Sequence, residues 1–371
     1  MIYEYSQFHQ NICLYNVSIA NFDYFLKQTG STWFSESIYF YSVAPLGIFG
    51  ILLNTLSFII LLKLQEGSFS IFKYMRVFTL NSIFLSSMIF LFIFTHLPRH
   101  FRFSITYFAR FYRCVIMINV ANMLNFYESI LNVLIMLERI SSFVLKFKKY
   151  TNIPPYRTSL FCFIVCVLIC MPTYFVSEVK DQDKFIHDIE HYNESQVELK
   201  YCHKTNFSKT GFGKLIISIV ITIMNGIIVV IEVYLTIITL VNFKKYLKKR
   251  SSLYTLNNKS KAMLLDKNQI NTNNLKYNTK READVSTVLN KSSHNLTKMS
   301  IQFSVISSFS NIFILFYNFV MLFKSDISLF YYYVTFGACF LTLVKLCLNF
   351  FFFYLYNASF RKCFKNYFKL N

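Results

Sequence analysis

The chain has few of the charged residues that soluble proteins carry on their surfaces. Only 15% of its 371 residues are charged, whereas a soluble domain has about 25%. It is instead 54% hydrophobic and 19% aromatic, with a mean hydropathy of +0.41. This composition excludes an ordinary soluble domain and indicates a membrane protein.

Glycine and proline are also scarce, with 8 and 5 copies in the chain. Transporters often break their membrane helices at these residues near the bilayer midplane, and they often carry internal repeats. The sequence shows neither such breaks nor repeats, which disfavours a transporter or a channel. A seven-helix transporter or ligand-gated channel stays as the alternative to the function developed below.

The motifs of common enzymes and metal sites are absent. The chain has no P-loop, no His-Glu-x-x-His, no closely spaced His/Cys zinc pattern and no nucleophile elbow. Cys162, Cys166 and Cys170 share one face of a predicted helix, where lone thiols usually serve packing. We therefore expect no enzyme activity, no cofactor and no metal.

The net charge of +20 raises the question of a nucleic-acid partner. The basic residues, however, lie between long apolar runs, as they do in the loops of membrane proteins. We therefore expect a lipid bilayer as a partner and no nucleic acid. Several of the nine cysteines lie inside apolar runs, so at most a few can form disulfides.

Seven apolar runs are long enough to cross a membrane, which takes about 20 residues of helix. Because a backbone in lipid must satisfy its own hydrogen bonds, we predict that each run is a helix. We number them helices 1 to 7: 40–64, 73–97, 112–141, 158–178, 214–241, 299–323 and 329–356. The predicted fold class is an all-α membrane protein, a seven-transmembrane helix bundle over 40–356 with a short amphipathic C-terminal surface helix.

The distribution of Lys and Arg between the loops predicts the orientation in the membrane. With the N-terminus outside, the inner segments 63–76, 142–158, 242–298 and 357–371 hold 24 Lys and Arg and the outer segments hold 11, although the four arginines of the first outer loop, 98–113, work against the rule. The balance places the inner segments on the cytoplasmic side of the plasma membrane. Segment 1–39 is then extracellular. It lacks the basic start and apolar core of a signal peptide, so helix 1 is expected to direct insertion. The composition of loop 242–298 predicts a disordered or loosely helical segment, with disorder preferred.

Three Asn-x-Ser sequons fall on the predicted outer side, at Asn16, Asn193 and Asn206. Because such sequons accept N-linked sugars in extracellular loops, we expect glycosylation there. A ligand-gated channel of the insect odorant type would place its N-terminus inside. Glycosylation at Asn16 or Asn193 would therefore exclude that alternative.

The C-terminal stretch NASFRKCFKNYFKL has an aromatic repeat of four residues. Phe360, Phe364 and Phe368 recur at helical spacing, with basic residues between them. This pattern predicts an amphipathic helix on the inner membrane surface, within 357–371. Cys363 lies in it, and both palmitoylation and an unmodified thiol stay open.

Glu138 and Arg139 stand side by side at the predicted inner end of helix 3. Together with seven helices and an outer N-terminus, this pair resembles the rhodopsin-like G-protein-coupled receptors. In that family a cysteine opens helix 3 twenty-five residues before the arginine, where this chain has Cys114. The resemblance implies a disulfide from Cys114 to Cys202, which is the only cysteine in 179–213.

Three further positions agree with the family register. Asn349 stands where the family has Asn-Pro-x-x-Tyr, while Asn54 and Asn81 match the family asparagines of helices 1 and 2. The family aspartate of helix 2 is Ser86 here, and the tyrosine after the arginine is Ile140. Helix 6 has no Cys-Trp-x-Pro and helix 5 has no proline. These departures resemble divergent invertebrate orphan or chemosensory receptors.

The resemblance implies that Glu138 and Arg139 form the switch that meets a heterotrimeric G protein. The other interpretation is a charge pair that only marks the membrane boundary. Glu128 lies three helical turns before Arg139 on nearly the same face, and Lys345 lies one turn before Asn349. We expect a buried polar network of these residues with Asn54, Asn81 and Ser86. Whether Glu128 and Lys345 pair or find separate polar neighbours stays open.

The family's ligand pocket opens outward between helices 3, 5, 6 and 7. The resemblance implies a helix 3 wall of Met117, Ile118, Ala121, Asn122 and Asn125. Amine receptors have an aspartate where this chain has Ala121, so the sequence argues against a biogenic amine. The expected partners are an extracellular ligand, either a peptide or a small molecule, a G protein and the lipid bilayer.

Overall fold

The computed structural model describes residues 37–64, 70–96, 107–141, 154–181, 200–267, 273–323 and 329–369. Seven helices within these ranges are long and apolar enough to cross a membrane. The predicted seven-helix bundle is confirmed, and a two-stranded hairpin is added to it.

The helices of the bundle contain several irregular segments. Helix 1 consists of a π-helical Tyr39–Val43 and an α-helical Ala44–Lys63, helix 2 is Ser70–His96, and helix 3 joins Tyr107–Phe111, a π-helical Tyr112–Ala121 and Asn122–Ser141. Helix 4 is Pro155–Cys170 with a 3₁₀ turn at Met171–Phe175, and helix 5 joins Gly211–Ile221, a π-helical Thr222–Ile227 and Ile228–Lys267. Helix 6 is Asn273–Phe323, helix 7 is Leu329–Tyr356, and the surface helix is Ala358–Tyr367.

Loop 242–298, for which disorder was preferred over loose helix, is largely helical in the structure. Helix 5 continues to Lys267, helix 6 already begins at Asn273, and 268–272 lie outside the described residues. The stretch contains no glycine and no proline. Because a membrane helix enters it from each side, the helix has only to propagate, and the unfavourable nucleation step is avoided.

Helix 4 ends earlier than predicted. Its α-helical part stops at Cys170, and Pro172 then lies in the 3₁₀ turn Met171–Phe175. Proline has no N–H and its ring clashes with the carbonyl four residues before it, so an α-helix ends there. The chain continues as a strand from Ser177 rather than as membrane helix to 178.

The hairpin connects helices 4 and 5 and was not predicted from the sequence. Strand β1 (Ser177–Asp181) pairs antiparallel with β2 (Lys200–Lys204), with Val179 opposite Cys202. Strand β1 also contacts the π-helical segment of helix 3. We call this end of the bundle the hairpin end, and the opposite end, which carries the surface helix, the Arg139 end.

Large apolar side chains are exposed on the outside of the bundle, and many polar residues are buried inside it together with the apolar core. Phe84, Phe161 and Val230 are 57%, 67% and 68% exposed, whereas Asn54 and Glu232 are fully buried. An apolar exterior stabilises a protein in lipid, and the polar groups then meet each other in the interior. The chain is therefore a multi-pass membrane protein.

The surface helix packs closely on helix 7. Asn357 caps its N-terminus, because the Asn357 Oδ1 accepts a hydrogen bond from the Phe360 N–H at 3.0 Å. The ring of Phe360 is fully buried and lies 5.6 Å from that of Phe353 and 5.9 Å from that of Phe350. Lys63 at the end of helix 1 lies over the ring of Tyr367, 4.1 Å from its centre.

Candidate functional site

A cavity of about 70 Å³ lies between helices 2, 3, 6 and 7. Four of the five residues that the sequence placed in the ligand pocket line it, while the side chain of Ile118 lies outside the described residues. Helix 2 contributes to the wall in place of the expected helix 5. The lining residues are Leu85, Ile89, Phe92, Met117, Ala121, Asn122, Asn125, Ile314, Tyr317, Thr335, Ala338, Cys339 and Thr342.

The π-helical segment of helix 3 helps to form the cavity wall. Met117 and Ala121 belong to it, and the regular α-helix resumes at Asn122. Wide π turns change the direction in which the following side chains point, and they are frequent at functional sites. Helix 5 has a second π-helical segment, Thr222–Ile227, which contains Gly226.

Asn122 and Asn125 bind the facing helices with unequal strength. The Asn125 Nδ2 donates to the Asn311 Oδ1 at 3.0 Å, and the Asn125 Oδ1 accepts from the Lys345 Nζ at 2.9 Å. The Asn122 Nδ2 lies 3.4 Å from the Asn318 Oδ1, a long and therefore weak hydrogen bond. Asn125 is thus fixed on both sides of its amide, whereas Asn122 is held loosely.

Glu128 and Lys345 meet below the cavity. The Lys345 Nζ lies 3.4 Å from the Glu128 Oε2, and the two side chains are 4% and 2% exposed. Among the described residues, the Glu128 carboxylate makes no short, well-aligned hydrogen bond in addition to this ion pair. A buried charge of this kind is stable only beside its counter-charge. The ion pair therefore holds helix 3 against helix 7.

Glu232 on helix 5 is a third buried ionisable residue, and the sequence analysis missed it. It is fully buried, and its carboxyl accepts hydrogen bonds from the Asn132 Nδ2 at 2.9 Å, the Ser307 Oγ at 2.9 Å and the Ser308 Oγ at 3.1 Å. The signal was present, because an ionisable residue inside an apolar helix usually faces the bundle interior. Its partners on helices 3 and 6 carry no such signal.

A continuous chain of polar contacts joins the ion pair to Glu232. From Lys345 it passes through Asn125 to Asn311, whose Nδ2 lies 3.5 Å from the Ser307 Oγ. Ser307 then donates to Glu232. The Asn311 Nδ2 also donates to the Ser129 Oγ at 2.8 Å. Helices 3, 5, 6 and 7 are therefore linked in one network directly below the cavity.

The remaining predicted network residues lie around helices 1 and 2. The Asn54 Nδ2 donates to the carbonyls of Gly50 at 2.8 Å and Leu346 at 3.0 Å, so it joins helices 1 and 7. The Asn81 Nδ2 donates to the Leu124 carbonyl at 3.0 Å, and the Asn349 Nδ2 lies 3.4 Å from the Ser82 Oγ. Each of these asparagines thus fixes a pair of helices.

Ser86 lies at a close approach of helices 1 and 2. It is fully buried, and its hydroxyl has no hydrogen-bond partner among the residues that the structure describes. A Cβ added to Gly50 would lie 2.9 Å from the Ser86 Oγ. Real Cβ atoms do not come so near a neighbour, so a side chain at position 50 would have to displace the Ser86 hydroxyl, and glycine allows this approach without such a shift.

Arg139 is buried at the end of helix 3, with 8% of its side chain exposed, while Glu138 is half-buried. The next residue, Ile140, is fully buried and packs with Met136 against Leu235 of helix 5. Along an α-helix with a rise of 1.5 Å per residue, Arg139 lies about 21 Å from Asn125 in the cavity wall. The cavity and Arg139 are therefore at separate depths of the bundle.

Several predicted sites lie partly or wholly outside the described residues. Asn16 and Asn193 are not described, and the side chains of Cys114 and Cys202 are also outside the described part, so their disulfide stays a prediction. Asn206 is exposed beside the hairpin, and Cys363 is half-buried in the surface helix. Within the described residues, no group of three or more His, Cys, Asp or Glu could hold a metal ion.

Comparison with known proteins supports the architecture. No family model matches the chain, and no curated protein matches its sequence. Its fold is similar to that in the crystal structure of squid rhodopsin, with a TM-score of 0.56 and 12% sequence identity over 90% of this chain and 85% of that one. At this identity the likeness shows the fold alone. The chain therefore has a rhodopsin-like seven-helix fold.

Proposed function

We propose that this protein is a G-protein-coupled receptor that passes a signal from an extracellular ligand to heterotrimeric G proteins. The observation that carries this proposal is the rhodopsin-like bundle with a cavity at one depth and a buried Arg139 at the end of helix 3. A receptor needs a ligand site, a surface for its transducer and a physical connection between them. The polar network under the cavity supplies a candidate for that connection.

The orientation follows from the charge of the loops. We propose that the hairpin end is extracellular and that the Arg139 end is cytoplasmic, in the plasma membrane. The excess of Lys and Arg in the segments of the Arg139 end supports this orientation. Exposure of Asn206 beside the hairpin is compatible with glycosylation there.

The proposed disulfide would attach the hairpin to helix 3. Cys202 belongs to β2, and β1, its partner strand, contacts the π-helical segment that contains Cys114. A cross-link there would hold the hairpin over the outer end of the bundle. Glycosylation at Asn16 and Asn193 and palmitoylation at Cys363 complete the proposed modifications.

In the proposed mechanism, ligand binding shifts the contacts of helix 3 with helices 6 and 7, and the rearrangement reaches Glu138 and Arg139. Release of Arg139 from the bundle interior would then expose it to the G protein. The structure of the free receptor would keep Arg139 buried, as observed. The divergent, chemosensory-type character of the sequence fits a small chemosignal or a peptide as ligand.

A cell assay tests the proposal. The receptor is expressed with a promiscuous G protein and screened with peptides and small odorants, and a ligand-dependent response is expected. Arg139→Ala should abolish this response while surface expression is retained. Arg157→Ala, which changes an exposed arginine at the same end, is the matched control and should respond like the natural protein.

Two results would contradict the proposal. A ligand-evoked current in cells that lack G proteins would assign the chain to the channels. A response that survives Arg139→Ala at normal surface expression would remove Arg139 from the signalling mechanism.

A further inference from the structure

The cavity between helices 2, 3, 6 and 7 has a distinct chemical character. Eight of its thirteen lining residues are apolar, and the other five are uncharged polar residues. Among the residues that the structure describes, no charged side chain lines it. A ligand charge would therefore lose its hydration in the cavity without meeting a counter-charge, which is strongly unfavourable.

The nearest charges lie below the cavity and satisfy each other. The Lys345 Nζ is 3.4 Å from the Glu128 Oε2, and it also donates to the Asn125 Oδ1 at 2.9 Å. Asn125 lies between this ammonium group and the cavity, since it lines the cavity itself. An anionic ligand would have to break the ion pair to reach Lys345, and a cationic ligand would have to displace Lys345 from Glu128.

The size of the cavity limits the ligand further. A single water needs roughly 10–15 Å³ on the same scale, so a cavity of about 70 Å³ has room for about five to seven water-sized groups. This volume suits a compact molecule rather than a ligand that inserts several peptide side chains.

The two asparagines in the wall differ in what they can offer a ligand. Asn125 makes short hydrogen bonds with both sides of its amide, to Asn311 and Lys345. The amide of Asn122 makes a 3.4 Å contact with Asn318, which a better-placed oxygen can replace at little cost. Asn122 is thus the polar group of helix 3 that is available to a ligand.

We propose that the cavity binds a small uncharged molecule with an apolar body and one hydrogen-bonding oxygen, and that the Asn122 amide holds this oxygen. The inference rests on the proposed receptor function in one respect: it takes the molecule in the cavity to be the signalling ligand. It narrows the ligand to small neutral amides, alcohols, ketones or esters. It excludes peptides, amines and carboxylates as occupants of the cavity.

Cys339 provides a reporter for the test, because it lines the cavity and is a free thiol. The full-length purified protein is treated with methyl methanethiosulfonate, a small neutral reagent, and modification of Cys339 is followed by mass spectrometry. Hexanamide, hexylammonium and hexanoate, which share one body and differ in charge, are the competing probes. Hexanamide should slow the modification, and the two charged probes should need on the order of tenfold higher concentrations or more.

Asn122→Leu tests the specificity residue. It should raise the concentration of hexanamide needed for half protection by about threefold to tenfold, the value of one hydrogen bond. Asn119→Leu is the matched control. Asn119 is buried in the same helix but does not line the cavity. Its Nδ2 donates to the Val115 carbonyl of its own helix. Asn119→Leu should leave the protection by hexanamide unchanged.

Three outcomes would overturn the inference: equal protection by a charged probe, no protection by any probe, or unchanged protection by hexanamide in Asn122→Leu. The result is independent of signalling. If hexanamide protects Cys339 while the cell assay shows no G-protein response, the cavity assignment holds and the receptor proposal fails. If the cell assay responds while hexanamide gives no protection, the receptor proposal holds and the cavity assignment fails.

Discussion

The ion pair of Lys345 and Glu128 gives the most direct test of the buried network. Lys345→Met keeps most of the length and the apolar part of the side chain and removes only the ammonium group. Glu128, which is 1% exposed, then loses the counter-charge at 3.4 Å. The Asn125 Oδ1 also loses its hydrogen bond of 2.9 Å.

The expected effect is large because a single partner is removed. Breaking a buried pair from one side leaves an unpaired charge and lowers the free energy of unfolding by about 3–5 kcal/mol. Lys345→Met and Glu128→Gln should each fall in or near this range. The double variant has no unpaired charge, so we expect a loss of only about 1–2 kcal/mol. The sum of the two single effects should then exceed the double effect by several kcal/mol.

The measurement is equilibrium unfolding of the purified chain in mixed micelles, with increasing sodium dodecyl sulfate, for the natural protein, both single variants and the double variant. Lys298→Met is the control, since Lys298 is exposed on helix 6, and it should change the free energy of unfolding by less than about 0.5 kcal/mol. Additive single effects, with no coupling between the positions, would refute the pairing and favour separate partners for Glu128 and Lys345.

Two further predictions use the same unfolding measurement. Glu232→Leu leaves three buried donors without an acceptor and should cost about 3 kcal/mol or more, whereas Glu232→Gln keeps one oxygen and should cost less; equal effects would show that the donors do not depend on the carboxyl. Gly50→Ala brings a Cβ to 2.9 Å from the Ser86 Oγ and should cost about 1–3 kcal/mol. Gly337→Ala, whose Cβ meets nothing within 4 Å, should instead be neutral or stabilise by up to about 1 kcal/mol; a similar loss in both variants would contradict the close approach of helices 1 and 2.

The bundle itself was predictable because membrane helices are determined by local composition. An apolar run of about 20 residues has no alternative in lipid to satisfying its own backbone, so hydropathy alone locates each helix. Helix 7 accordingly runs from Leu329 to Tyr356, the predicted range. The extensions of helices 5 and 6 into 242–298 were not predictable in this way, because outside lipid the polar composition of a segment does not determine whether it is helical.

The hairpin was missed for a related reason. Its strands, SEVKD and KYCHK, are short and lack an alternating apolar pattern. Their pairing depends on two segments that are separated by 18 residues of chain, 182–199, which lie outside the described part. Such a pairing has no local signature in the sequence, because each strand is stabilised by its partner strand and by the helices beneath it.

For the site, the sequence identified residues but few of their partners. Glu128 and Lys345 were recognisable as ionisable residues in apolar helices. Only the folded bundle shows that the two side chains are in contact. Asn311 and Ser307, which carry the network to helix 6, are ordinary polar residues in a serine-rich helix and have no marker. Helix 2 also lines the cavity where helix 5 was expected. The family register specified the face of helix 3 but not the position of helix 2.

The described interior balances its charge in three different ways. Its buried ionisable residues are two acids, Glu128 and Glu232, and two bases, Arg139 and Lys345. Glu128 and Lys345 form a direct pair, Glu232 is held by neutral donors, and Arg139 lies next to the half-buried Glu138 at the end of the bundle. The attraction of a direct ion pair falls off slowly with distance, whereas hydrogen bonds to serine and asparagine depend steeply on distance and angle. The neutral contacts of Glu232 with helices 3 and 6 are therefore the part of the interior that a change in helix packing would break first.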